Sequence, residues 1–84
     1  MTWNHRVIKK QDNSFNYVWY EIHEVYYDNK GNPDGWTENP VTPYGNDLED
    51  LHAELAYLLN ALDKPVMEIV DGKLREINGN SWRY

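Results

Sequence analysis

From Trp3 to Lys10 the side chains alternate. Trp3, His5, Val7 and Lys9 fall on one face of an extended chain, and Arg6 and Ile8 fall on the other. The β-branched pair Val7-Ile8 favours a strand, and Gln11-Asp12-Asn13-Ser14 closes it with a turn. Asn16 to Asp28 carries the strongest strand pattern, with Val18, Tyr20 and Ile22 alternating with Tyr17, Trp19 and Glu21. Past Ile22 the phase fails: Glu24 takes an apolar slot while Val25 and Tyr27 stand on the other face. A β-bulge near His23-Glu24 would restore the phase by adding one residue. The alternative is that both faces are partly covered there.

Asp28 to Gly35 is dense in turn formers and predicts a loop. Trp36 to Asn39 predicts a short third strand pairing back as a meander, and Pro40 and Pro43 confine it to an edge. The helix that follows is the clearest element. Asn46 with Glu49 three residues on predicts an N-cap and capping box, and Gly45 permits the entry turn. Leu48, Leu51, Leu55, Leu58, Leu59 and Leu62 recur at helical spacing as one apolar stripe. Asp47, Glu49 and Asp50 stand in the first turn, where the helix dipole favours negative charge. Pro65 stops the helix, and Val66–Val70 and Lys73–Ile77 around Asp71-Gly72 predict a hairpin. The expected fold is α+β over residues 1–77: two layers, a three-stranded antiparallel sheet packed by one amphipathic helix, plus a C-terminal β-hairpin. Residues 78–84 are expected to form a loose tail, with Trp82 the residue suited to docking.

Composition narrows the function. A chain of 84 residues has room for one domain. The absence of cysteine excludes a disulfide scaffold, a thiol nucleophile and any thiolate metal site. Fourteen acids against eight bases give a net charge of −6, which opposes direct nucleic-acid binding. No apolar run approaches the ~20 residues that cross a bilayer, so a cytoplasmic protein without membrane contact is expected. Aromatic residues at 14% argue for a folded chain, since disordered acidic segments are poor in them. The charge is also uneven: residues 1–20 sum to +2, residues 21–63 to −9, and residues 64–84 to +1.

Candidate chemistry is sparse. His5, His23 and His52 lack metal-ligand spacing, so no metal or cofactor is expected. No carboxylate is marked as buried beside an apolar wall, and Ser14 and Ser81 have no triad context, so no catalytic residue and no enzyme are expected. The acidic surface is more informative. Asp47, Asp50, Glu54 and Tyr57 fall opposite or beside the leucine stripe, and Glu21, Glu24 and Asp28 extend the array from the sheet. A charge run is usually a solvated face. The functional alternative is a carboxylate array with an embedded tyrosine that docks on a basic partner protein, because opposite charge speeds encounter and aromatics anchor interfaces. Tyr17, Trp19, Tyr20, Tyr26, Tyr27 and Trp36 exceed what one helix can cover, and an exposed aromatic sheet face would mark a homodimer or a bound partner.

The strings Ile22-His23-Glu24-Val25-Tyr26-Tyr27-Asp28, Thr37-Glu38-Asn39-Pro40-Val41, Leu48-Glu49-Asp50-Leu51 and Ala61-Leu62-Asp63-Lys64-Pro65-Val66 resemble a group of short uncharacterised bacterial proteins over about residues 2–70. Gly45-Asn46-Asp47-Leu48-Glu49-Asp50-Leu51 resembles the loop-to-helix step of the HicB antitoxin core. The glycine-cysteine typical before that step is absent here, and no DNA-binding segment follows it. That likeness implies a module neutralising a small basic toxin. Size, acidity and build resemble, in type, phage-encoded counter-defence proteins such as anti-CRISPRs. This second likeness implies an inhibitor that occupies a basic, nucleic-acid-binding surface. The residues expected to meet the partner are Glu21, Glu24, Asp28, Asp47, Asp50, Glu54 and Tyr57.

Overall fold

The computed structural model describes residues 2–77. The expected tail over 78–84, Trp82 included, lies outside the described residues. Two long strands, β1 (Thr2–Asp12) and β2 (Tyr17–Tyr27), form an antiparallel ribbon. Strand β3 (Pro33–Trp36) follows, then helix α1 (Leu48–Leu59) with a 3₁₀ turn over Asn60–Asp63, then β4 (Met67–Val70) and β5 (Lys73–Glu76). The architecture is α+β.

The sheet differs from the expected three antiparallel strands. It has five strands in the order β3-β2-β1-β4-β5, and β4 runs parallel to β1 through Ile8↔Met67 and Lys9↔Glu68. A parallel neighbour needs a long crossover, and the stretch containing α1 supplies it. The C-terminal hairpin is therefore part of the sheet. Its turn is as expected, with Asp71 at φ 52° and Gly72 at φ 77°, the left-handed pair that a tight two-residue hairpin requires.

The bulge near His23-Glu24 is absent. Register between β1 and β2 is unbroken from Thr2↔Tyr27 to Asp12↔Tyr17, which sets Glu24 opposite His5. Both faces are covered instead. On the helix side, Val7, Ala61 and Val66 form a cluster with Ile22, Leu62 and Ile77 packed around it. On the other side Ile8, Val25, Met67 and Leu74 pack with Tyr27 and Trp36. Edge strands β3 and β5 approach one another over this second cluster, so the sheet curls around it. A curled sheet needs no second helix to dry its concave face, and this is why Val25 and Tyr27 break the one-faced pattern.

The third strand also moves. Val25 pairs with Trp36 and Tyr26 with Gly35, with a register shift between Tyr26 and Tyr27, so the strand precedes the expected Trp36–Asn39. Beyond it the chain follows β2 through two bonds: Thr37 N–H to the Glu24 carbonyl at 3.1 Å and Val41 N–H to the Ile22 carbonyl at 2.9 Å. Pro33 is tolerated because an edge strand leaves one side of its backbone unpaired.

A buried arginine links four segments. The Arg6 guanidinium donates to Tyr27 Oη at 3.0 Å, to the Pro65 carbonyl at 2.8 Å and to Glu76 Oε2 at 2.7 Å. Tyr27 Oη in turn donates to Asn4 Oδ1 at 2.7 Å. Glu76 is half exposed, so the pairing neutralises a buried charge at the rim and adds little net stability of its own.

Candidate functional site

The helix begins one residue later than the expected cap. Asp47 is the N-cap: its Oδ1 accepts the Asp50 N–H at 2.8 Å, while Asn46 Oδ1 accepts the Tyr44 hydroxyl at 3.2 Å. Both residue types cap well, but a carboxylate at this position also meets the positive end of the helix dipole. Gly45 is required for a different reason from turn conformation. A Cβ there would collide with the Leu51 backbone, so the incoming chain lies directly against the first turn.

The orientation of α1 decides what the surface presents. Leu58 is 4% exposed, whereas Leu48, Leu55 and Leu59 are 83%, 49% and 60% exposed. The buried line thus runs along one flank of the leucine stripe, and the other flank faces outward as a ridge. On the opposite flank of the buried line, the Tyr57 ring meets His5 edge-on at 5.0 Å and Trp3 at 6.4 Å. Glu54, between Leu58 and Tyr57 on the helical wheel, is half-buried. The helix is turned toward its acidic side because the strand positions beneath it supply His5 and Trp3 for Tyr57 but few aliphatic side chains for six leucines.

Tyr57, Glu54, Ala53 and Asp50 line an open depression of about 530 Å³ with Tyr44, Gly45 and Asn46. Asp47 to Leu59 holds four acids and no Lys or Arg. Among the described residues, no ion pair engages Glu49, Asp50 or Glu54. Glu24 lies on the same side of the sheet, because its partner His5 touches Tyr57. Its Oε1 accepts the Tyr26 hydroxyl at 2.7 Å, and this bond to a carboxylate pushes the Tyr26 phenol above its ordinary value.

The other expected residues are engaged elsewhere. Glu21 lies on the concave side with Ile8, where it accepts from Trp19 Nε1 at 2.8 Å, contacts His23 Nε2 at 2.8 Å and pairs with Lys10 at 3.7 Å. The hydrogen bonds from Trp19, then His23, hold its carboxyl below the usual value, against the opposing effect of burial. His23 is fully buried, and its Nδ1 lies 2.8 Å from the Thr37 carbonyl, so both ring nitrogens are occupied. Asp28 accepts the Lys30 and Asn32 N–H groups and shapes the loop before β3. The structure therefore brings Asp50, Glu54 and Tyr57 together, with Glu24 on the same side. Asp47 serves the helix start, and Glu21 and Asp28 stand apart. Sequence reading misses the exposed ridge of Leu48, Leu55 and Leu59, together with Tyr44 and Trp3 beside the depression. The available signal was the face of β1, where Trp3, His5, Val7 and Lys9 offer one aliphatic side chain to a leucine-rich helix.

Among the described residues, no group of three or more His, Asp or Glu side chains is placed to hold a metal ion. No helix among them is long and apolar enough to cross a membrane. No family model matches the chain, and no curated protein or solved structure matches it either. Function therefore has to be read from the chain's own residues.

Proposed function

We propose that this chain is a non-enzymatic binding protein that docks its α1 side on a basic surface of a partner protein. In its concrete form it is an inhibitor that occupies the partner's nucleic-acid-binding site, as in the phage counter-defence proteins it resembles in type. The observation that carries this reading is the pairing of two unengaged features on one helix. Asp50 and Glu54 have no internal cation among the described residues, and Leu48, Leu55 and Leu59 stand exposed on the other flank of the same helix. Exposed apolar side chains and unpaired charges on one element are a common mark of a docking surface. Asp50 and Glu54 are four residues apart, so they lie about 6 Å apart along the axis and can meet two charges of one basic patch.

The test is capture from the native cell with immobilised protein, in wild-type form and as Asp50→Lys/Glu54→Lys, at low and high salt. Capture of a basic protein that both the substitution and salt weaken, and that added nucleic acid releases, supports the reading. Undiminished capture by a folded double variant defeats it.

A further inference from the structure

The end of the β1–β2 ribbon leaves one edge of β2 without a neighbour. β3 reaches only Val25–Tyr27, and among the described residues the backbone beyond it bonds to the β2 backbone only at Glu24 and Ile22. The carbonyls of Glu24 and Ile22 point to that outer edge, so the two-residue repeat turns the backbone groups of Tyr20 and Val18 the same way. Among the described residues nothing pairs with them there. The side chains around this edge are open as well: Phe15 is 83% exposed, Tyr17 59%, Tyr20 57% and Val18 42%. Tyr17-Val18-Trp19-Tyr20 contains no charge, proline or glycine, so it lacks the devices by which sheet edges are guarded.

We propose that this edge of β2 pairs antiparallel with the same edge of a second copy of the chain, about a two-fold axis. Charge selects the second copy and this site for it. Two chains of net charge −6 can meet along Tyr17–Tyr20 without opposing like charges, whereas α1, with three acids, a fourth at its N-cap and no Lys or Arg, cannot face its own copy. A two-fold antiparallel pairing is self-complementary, since each strand offers its partner the donors and acceptors it needs. Area is consistent with this occupant. If an aromatic side chain buries ~150–250 Å², the exposed fractions of Phe15, Tyr17 and Tyr20 amount to roughly 300–500 Å² per copy. Both copies together bury roughly 600–1,000 Å², which reaches the ~1,000 Å² of a specific interface at its upper end and so fits a weak dimer. The dimer is therefore concentration-dependent, joins two sheets edge to edge, and leaves both acidic helix sides free.

Sedimentation equilibrium over a concentration series tests this, with two variants. Val18→Pro removes an N–H that points outward and leaves the bonds to β1 in place. Tyr20→Glu sets a carboxylate opposite Lys9 within the chain but opposes like charges between copies. The wild type is expected to move from the 10.0 kDa monomer to twice that mass, at low and high salt alike. Both variants are expected to lose the dimer while keeping the far-ultraviolet circular dichroism of the wild type. Should Val18→Pro fail to fold, Tyr20→Glu alone decides. A wild type that stays monomeric to about 1 mM, leaving the edge to a foreign strand, overturns the proposal. So does a dimer that persists in the folded variants.

Discussion

If α1 is turned as described, neighbouring leucines on its stripe differ sharply in what they contribute to folding. Leu58 is 4% exposed, so Leu58→Ala removes a buried side chain and leaves a cavity, at a cost of about 2–5 kcal/mol. Leu55 and Leu59 are 49% and 60% exposed, so truncation forfeits half or less of the ~1.5–3 kcal/mol that full burial brings. Alanine's higher helix propensity returns a little of that, leaving a cost of about 1 kcal/mol or less at each. A domain of this length holds only about 4–13 kcal/mol in total. Urea denaturation followed by circular dichroism resolves the difference, because at about 1 kcal/mol per molar the midpoint of Leu58→Ala falls by ~2 M or more. Those of Leu55→Ala and Leu59→Ala fall by ~1 M or less. Equal losses at Leu55 and Leu58 would mean that the whole stripe is packed, and the exposed ridge would not exist.

Two further outcomes follow from local contacts. Asp47→Ala should cost about 1 kcal/mol in the same denaturation assay, whereas Asn46→Ala should cost a few tenths, since Asp47 receives the Asp50 N–H. Glu21 gives a pH dependence. Its folded pKa is depressed by hydrogen bonds from Trp19 and His23, so its contribution is fully present above the unfolded carboxylate value and fades as pH falls through the lower folded value. Glu21→Gln should therefore flatten the acid limb of the stability profile below about pH 5. An acid limb identical to that of the wild type would refute the role given to those bonds.

How much of this was legible in the sequence depends on whether the determinant was local. Helix α1, the Asp71-Gly72 hairpin and the β1–β2 ribbon rest on caps, turns and alternation within a few residues, and they could be read. The parallel docking of β4 on β1 could not, because Ile8 and Met67 are 59 positions apart and neither strand's pattern names its neighbour. His23-Glu24 was ambiguous for the same reason. A bulge and a sheet covered on both faces give the same string, and only the approach of β3 to β5 separates them. At the candidate site, helical spacing grouped Asp50, Glu54 and Tyr57 correctly on one face. It did not show that this face turns toward Trp3 and His5 and so sends Leu48, Leu55 and Leu59 outward. Glu21 and Asp28 were acidic in the right region, but their hydrogen bonds to Trp19, Lys30 and Asn32 depend on geometry that a charge count does not carry.

The central claim is that the carboxylates of α1 stand where phosphates would on a basic partner. It is tested most directly by the affinity of the purified partner for wild type and for Asp50→Lys/Glu54→Lys, by calorimetry with and without competing nucleic acid. Two reversed charges should weaken binding by about 10-fold or more. Nucleic acid should displace the wild-type protein, while the variant still unfolds cooperatively, at a somewhat lower temperature because Asp50→Lys opposes the helix dipole. Equal affinity for the two proteins, or simultaneous binding of nucleic acid and this chain, would contradict the account.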